Sequence, residues 1–362
     1  MRVEVLDDLS GLDRIRDDWE RVYERDPNSN VFVSWAWTRA LLTVMPRRWF
    51  ILLVRNNDDQ FVAFLPLASE AFPRWGPRLE RDIFLAGNPM ADLNGMLALP
   101  SSQEAAITAL SHHLRAMPWG TFQATDVSDP RLVQLFASLP HDDFRPVTFV
   151  KKDAAPCPFL RLPSSWDEYL MTISKRFRHL LRTSIRRVSE VPGFRMEVGT
   201  VANIEGHVES CIRLSEMRWR NGRVYRTQQR ALLLECFRTG CLWSLMLWSG
   251  RQPVAVLLAL VDGRSCVFAT YKAAFNPQFA DLRPGIAVAG LAIQHAINHG
   301  FTVYDFLRGG ETYKLRFGCD IRYTRHLAVM RTGPRHEFLY GVRRGVYFAE
   351  RAFARTQRAL AG

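Results

Sequence analysis

The sequence predicts a mixed α/β (α+β) protein of two units, each a mostly antiparallel twisted sheet flanked by helices. Three observations carry this expectation. The chain has 362 residues, too many for one typical core, and its 48% hydrophobic content supplies material for two. Apolar runs of strand length, separated by short polar turns, occur in both halves. The second run of each pair also opens alike: Gln60 to Leu65 and Gln252 to Leu257 share Q-x-V-A-x-L about half a chain length apart, as a duplicated unit would.

In the N-terminal half, a helix is expected from Leu12 to Arg25 and a second over "SWAWTRALLTV". "WFILLVR" and "FVAFLPLAS" read as a hairpin around the turn cluster Asn56-Asn57-Asp58-Asp59. "FLAGNPMADLNGMLAL" reads as strand, loop and strand, and residues 102–117 as a helix. Short strands and the helix "RLVQLFASL" fill 119–150. "VKKDAAPCPFLRLPSS" has three prolines and no helical period, so a hinge is expected over 151–163.

Beyond the hinge, Ser164 or Ser165 caps a helix starting at Trp166, and "SKRFRHLLRTSIRRVSE" is a basic helix ended by Pro192-Gly193. Helices follow over about 203–220 and from Gln228 to Arg238. "CLWSLMLW", "PVAVLLALV" and "SCVFATYK" form a meander with tight turns. The loop "AAFNPQFADLRPG" leads into the helix "IAVAGLAIQHAINHG", which Gly300 ends, and "FTVYDFL" and "YTRHLAVMR" are strands.

The formal charge is +12, which suits an anionic partner such as nucleic acid, a membrane surface or a phosphate-bearing ligand. The start "MRVEVLDDLS" lacks an apolar run, so no leader is expected, and no uncharged stretch of about 18 apolar residues could span a membrane. Six cysteines show no C-x-x-C or zinc spacing and read as buried thiols of a reducing compartment. His295 and His299 share a helix face at i, i+4, but no third ligand accompanies them, and no metal is expected.

Two features invite an anion. At "LRPGIAVAG", a glycine where a loop enters a helix leaves N–H groups pointing outward at the positive end of the dipole, with Arg283 beside them. Arg178, Arg182 and Arg186 lie at i, i+4 and i+8 on one face of the basic helix, where dense guanidiniums suit a phosphate, although a solvated basic face is the plainer reading.

Antiparallel meander, "RPG" helix and strand, in that order, resemble the GNAT acyltransferase superfamily, whose loop signature is Q/R-x-x-G-x-G/A. Leu282 to Ala287 keeps Gly285 and Ala287 but has Leu282 at the first position. "SKRFRHLLRTSIRRVSE", "LMLWSGRQPVAVLLALVDGRSCVFATYKAAFNPQFADLRPG" and "YDFLRGGETYK" resemble the CelD-type branch, whose members are linked to cellulose biosynthesis and related to FemAB-type transferases. The resemblance implies two tandem GNAT-like domains: a degenerate one over 1–155 and a catalytic one over 156–332. A basic amphipathic helix is expected over 333–362.

The resemblance further implies acyl-coenzyme A as co-substrate, with no permanently bound cofactor. Its pyrophosphate would sit at the helix entry and its pantetheine arm between the last meander strand and "FTVYDFL". Tyr271, Arg283, Gly285, Ile286 and Ala287 are the expected cofactor side. An amine acceptor must lose a proton to attack a thioester, and the oxyanion then formed needs a donor. The catalytic candidates are therefore Asp305 or Glu311 as base, with Tyr313 as a phenol nearby and Lys314 as electrostatic helper. Asp305 could instead be a structural partner of Lys314 or Arg316. Arg178, Arg182, Arg186, Arg218 and Trp219 are the candidates for binding an acceptor.

That acceptor is expected to be a sugar, polysaccharide precursor or lipid bearing phosphate. Two rivals stand beside this reading: a FemAB-like transferase using aminoacyl-tRNA, and a non-catalytic accessory protein of envelope polysaccharide synthesis. DNA is not an expected partner. The expected location is cytoplasmic, with the basic tail as a point of peripheral contact with the inner face of the cell membrane.

Overall fold

Asn56 turns the chain as its polar cluster predicts. Its side chain accepts from the N–H groups of Asp58 and Gln60, and Asp59 takes φ 60°. The computed structural model describes residues 1–72, 79–148, 155–217 and 223–346. The first unit contains β1 (Arg2–Leu6), β2 (Arg48–Arg55), β3 (Phe61–Phe72), β4 (Glu80–Leu85), β5 (Leu97–Ala98), β6 (Thr121–Val127) and β7 (Phe144–Pro146). Its helices are α1 (Leu9–Arg14), α2 (Arg16–Arg25), α3 (Trp35–Val44), α4 (Gln103–Ala116) and α5 (Pro130–Ala137).

The second unit contains β8 (Pro156–Arg161), β9 (Phe194–Val198), β10 (Leu242–Ser249), β11 (Gln252–Asp262), β12 (Val267–Phe275), β13 (Val303–Asp305) and β14 (Asp320–Tyr323). Its helices are α6 (Trp166–Thr172), α7 (Lys175–Ser189), α8 (Ile204–Glu216), α9 (Arg223–Arg238), α10 (Pro284–Asn298) and α11 (Thr312–Leu315). Ser165 caps α6 and Ser174 caps α7, each accepting the N–H three residues on.

The two sheets repeat one plan. In the first, the meander β2-β3-β4 is followed by α4 and by β6, which pairs parallel with β4. In the second, β10-β11-β12 is followed by α10 and by β13, parallel with β12. The shared Q-x-V-A-x-L opens β3 and β11, the central strand of each meander. The chain is thus two tandem GNAT-like domains, each an antiparallel-rich sheet with helices packed against it.

Three features depart from the sequence reading. The proline-rich hinge contains β8, which joins β13 and β14. Pro156 and Pro158 fit there because their carbonyls accept from Gly309 and Phe306, and no proline N–H is required. β9 precedes the meander as a fourth antiparallel strand. The last strand, β15 (Arg325–Arg331), lies not in the second sheet but in the first, between β6 and β7.

Both sheets are covered on two faces, giving four apolar clusters. One of them joins the units: Phe32, Trp37 and Leu41 from around α3 pack with Leu214, Leu232 and Leu233 of α8 and α9. Trp37 meets Tyr271 of β12 edge to face at 5.6 Å.

A helix over 334–346, α12, docks on the first unit. Arg343, buried, lies 2.9 Å from Asp82, and Arg145 pairs with Glu337 at 2.5 Å. These charges of the expected tail are thus taken up within the protein, and residues 347–362 lie outside the described residues. Among the described residues no helix is long and apolar enough to cross a membrane.

Candidate active site

Helix α10 begins in a strained turn. Arg283, its N-cap, is left-handed at φ 56°, a conformation costing a non-glycine residue about 1 kcal/mol. Pro284 follows at the first helical position, and no side chain caps the helix. Gly290, one face further along, lets α7 come close. A Cβ there would stand 2.5 Å from Leu181 Cδ1.

Between α7 and this helix entry lies a cavity of about 610 Å³. Arg176 and Arg187 of α7, Arg283, and Arg316 after α11 line it, with Asp281 the one acid among its described lining residues. Arg316 is steadied by stacking 4.8 Å over Phe177. Four guanidiniums beside a helix N-terminus make an anion site suited to a diphosphate.

Beside it the sheet opens. β12 and β13 pair at Val267–Val303, Phe268–Tyr304 and Ala269–Asp305 only. A register shift leaves Tyr271 unmatched on β12, which continues along β11. The chain after β13 turns at Leu307, φ 54°, and follows β8 instead. The two strands part in a V, the geometry the resemblance implied for the pantetheine arm. Thr270 Oγ1 bonds Tyr304 Oη at 2.6 Å where they diverge.

The segment after the V is held tightly. Asp305, 2% exposed, accepts from the Leu307 N–H at 2.8 Å and pairs with Arg322 of β14. Burial raises its pKa, and Arg322 opposes that rise. Lys314 is also buried. Its Nζ lies 2.9 Å from Glu311 and donates to the carbonyls of Phe306 and Arg308, both at 3.3 Å, which uses all three of its hydrogens. Gly309, at φ 144°, is required because a Cβ would strike Glu311 and Lys314. The Glu311 carboxylate is 58% exposed and is the accessible acid of the segment. Tyr313 is exposed.

The first unit reaches the V through the loop before β5. Tyr271 Oη donates to the Met90 carbonyl at 2.9 Å, and Asp92 lies 3.5 Å from Arg308, which also pairs with Asp126. Burial pushes the Asp92 carboxyl up to about 6. Burial also lowers the pKa of Lys272, on the same stretch of β12.

The structure brings together Arg283, Ile286 and Arg316 at the cavity, and Tyr271, Asp305 and Lys314 around the V. Gly285 sits beside Phe275, and Ala287 is buried on the inner face of α10. The arginine stripe does not join them. Arg182 and Arg186 are exposed on the other flank of α7, and Arg178 bonds the Ile173 carbonyl. Arg218 and Trp219 lie outside the described residues. Arg176, Arg187 and Asp92 were missed, as was the cavity role of Arg316, which the sequence offered only as a partner for Asp305. The buried face Phe177, Leu181, Ser184 and Val188 orients α7 and would have pointed to Arg176 and Arg187. Asp92 had no motif to mark it.

His295 and His299 stack at 3.9 Å between ring centroids, and burial lowers His295 to about 4. No group of metal-ligating side chains occurs among the described residues.

Residues 175–315 match the acetyltransferase (GNAT) domain family. That stretch holds α7, the meander, α10 and the V. No curated protein matches the chain. Among solved structures it is similar to FemX, with a TM-score of 0.65 and 11% identity, covering 91% of this chain and 97% of that one. A tandem GNAT protein from the clavulanic acid biosynthesis pathway gives 0.54 and 11%, covering 92% and 99%. The C-terminal domain of a protein assigned as lysylphosphatidylglycerol synthetase from Agrobacterium fabrum gives 0.53 and 9%, covering 92% and 96%. These likenesses establish the tandem fold, and the domain match with that fold supports an acyltransferase.

Proposed function

We propose that the chain is an acyl-coenzyme A-dependent acyltransferase of the CelD-type branch, moving an acyl group directly to an amine or hydroxyl of a sugar, polysaccharide precursor or lipid. The observation that carries this reading is the four-arginine cavity at the entry of α10, immediately beside the V between β12 and β13. Its size and charge fit the diphosphate end of coenzyme A, and the V fits a narrow uncharged arm leading to the thioester. The expected cofactor side thus gains Arg176, Arg187 and Arg316.

In the proposed reaction the acceptor nitrogen or oxygen attacks the thioester carbon. A carbon–nitrogen or carbon–oxygen bond forms, the carbon–sulfur bond breaks, and the thiolate takes a proton. Glu311 is the better-placed proton acceptor of the two original candidates, since Asp305 is enclosed by Arg322. Lys314 acts in this reading by fixing the backbone at Phe306 and Arg308 beside the V.

A second reading, a FemAB-like enzyme using aminoacyl-tRNA, is favoured by the exposed Arg182 and Arg186 outside the cavity, which suit a larger polyanion. Calorimetric titration with acetyl-coenzyme A and a long-chain acyl-coenzyme A tests the first reading, and absence of binding to both would sink it. Binding of tRNA that survives physiological salt, in place of either thioester, would establish the second. Neither ligand binding would leave the accessory role.

A further inference from the structure

A second groove, away from the α7–α10 cavity, runs from the seam between the units onto the first unit. Its inner part, about 150 Å³, lies where the units meet and is lined by Leu41, Val44 and Met45 at the end of α3, with Met90 and Leu232 opposite. An apolar cavity of about 150 Å³ is large enough to take a benzene-sized group. Its outer part, about 370 Å³, is lined by Arg47, Arg48 and Arg81, with Glu70 the one acid among its described lining residues. Pro46 and Arg47 line both parts, so the two adjoin.

The cationic end keeps a positive surplus. Arg47 Nε is 3.8 Å from Glu70, too long for a direct hydrogen bond, and its guanidinium rests 5.2 Å from the Phe84 ring centre. Arg81 donates to the Ser69 hydroxyl at 3.1 Å, a neutral partner. Arg48 is 3.5 Å from Asp7 in an exposed pair, which salt and water weaken. An apolar pocket opening onto three guanidiniums is complementary to a molecule with an apolar end and an anionic head.

We propose that this groove binds a phosphate-bearing amphiphile: an alkyl or isoprenoid chain seated against α3, with its phosphate held by Arg47 and Arg81. The loop that lines the groove also reaches the V. Asn88, Pro89 and Met90 line the groove, and the same loop meets Tyr271 through the Met90 carbonyl and Arg308 through Asp92. Identifying the amphiphile as the acyl acceptor rests on the transferase reading; its binding does not.

The test is calorimetry on the full chain with dodecyl phosphate below its micelle concentration, using inorganic phosphate and dodecyl maltoside as probes of head and tail alone. One saturable site is expected, at least about tenfold tighter for dodecyl phosphate than for either probe. Arg47→Ala should weaken it about tenfold, the effect of losing one charged hydrogen bond. Met45→Glu should weaken it as much, and Arg81→Gln takes its place where Met45→Glu lowers the melting temperature. Arg187→Ala and saturating acetyl-coenzyme A should leave it unchanged. Binding that Arg187→Ala abolishes, that both groove variants leave intact, or that inorganic phosphate matches would overturn the proposal. Failure of the transferase reading appears separately, as loss of acetyl-coenzyme A binding with dodecyl phosphate binding retained.

Discussion

Asp305 of β13 is paired with Arg322 of β14, not with Lys314, which turns instead to Glu311 and two backbone carbonyls. Removing one partner of a buried pair leaves the other charge uncompensated. Arg322→Ala should therefore cost about 2–4 kcal/mol, less than a fully buried pair because Arg322 is partly exposed. Urea unfolding measures this, and a change within about 0.5 kcal/mol would mean that Asp305 finds other compensation.

The two flanks of α7 should behave differently. Arg187→Ala and Arg316→Ala should each weaken acyl-coenzyme A binding about tenfold, since each removes a guanidinium from the cavity. Arg182→Ala, outside the cavity lining, should change it by less than about twofold. Equal losses at Arg182 and Arg187 would count against the cavity as the diphosphate site.

Gly290 sets the spacing of α7 and α10. With a Cβ meeting Leu181 Cδ1 at 2.5 Å, Gly290→Ala should destabilise by about 1–2 kcal/mol through overpacking. Because α7 supplies two of the cavity's arginines, acyl-coenzyme A affinity should fall with it. Thermal melting and calorimetry on one preparation would show whether the effects travel together.

Asp92 should make stability depend on pH. Its pKa is pushed up to about 6 from 3.8, chiefly by burial. A carboxyl harder to ionise folded than unfolded costs nothing below its unfolded pKa and costs stability once ionised. The cost thus grows between about pH 4 and pH 6, to at most about 3 kcal/mol. Asp92→Asn should flatten that fall in urea unfolding free energy across pH 4–7. The same slope in the variant would assign it to other groups.

Local signals in the sequence located most elements. The Asn-Asp cluster marks the β2-β3 turn, and Gly300, at φ 76°, marks the end of α10. What eluded reading depends on distant partners. Prolines disguised β8, where Pro156 and Pro158 serve through their carbonyls. A period of two identifies β15 as a strand but does not say which sheet receives it. Charge and spacing pick out the α7 stripe, but its bearing comes from the buried residues between the arginines. Asp92 acquires its character only when the fold buries it, beside Arg308 from far along the chain, whose charge opposes the rise.

The place of β15 governs the order of assembly. Until residues 325–331 leave the ribosome, β6 and β7 have no strand between them, and each presents unsatisfied backbone edges. The unit made first is therefore completed last, after the whole second unit has been synthesised. The two domains repeat one architecture but do not mature independently. Completing the first sheet requires the return of a single strand over a sequence separation of about two hundred residues, the kind of non-local pairing that slows folding most.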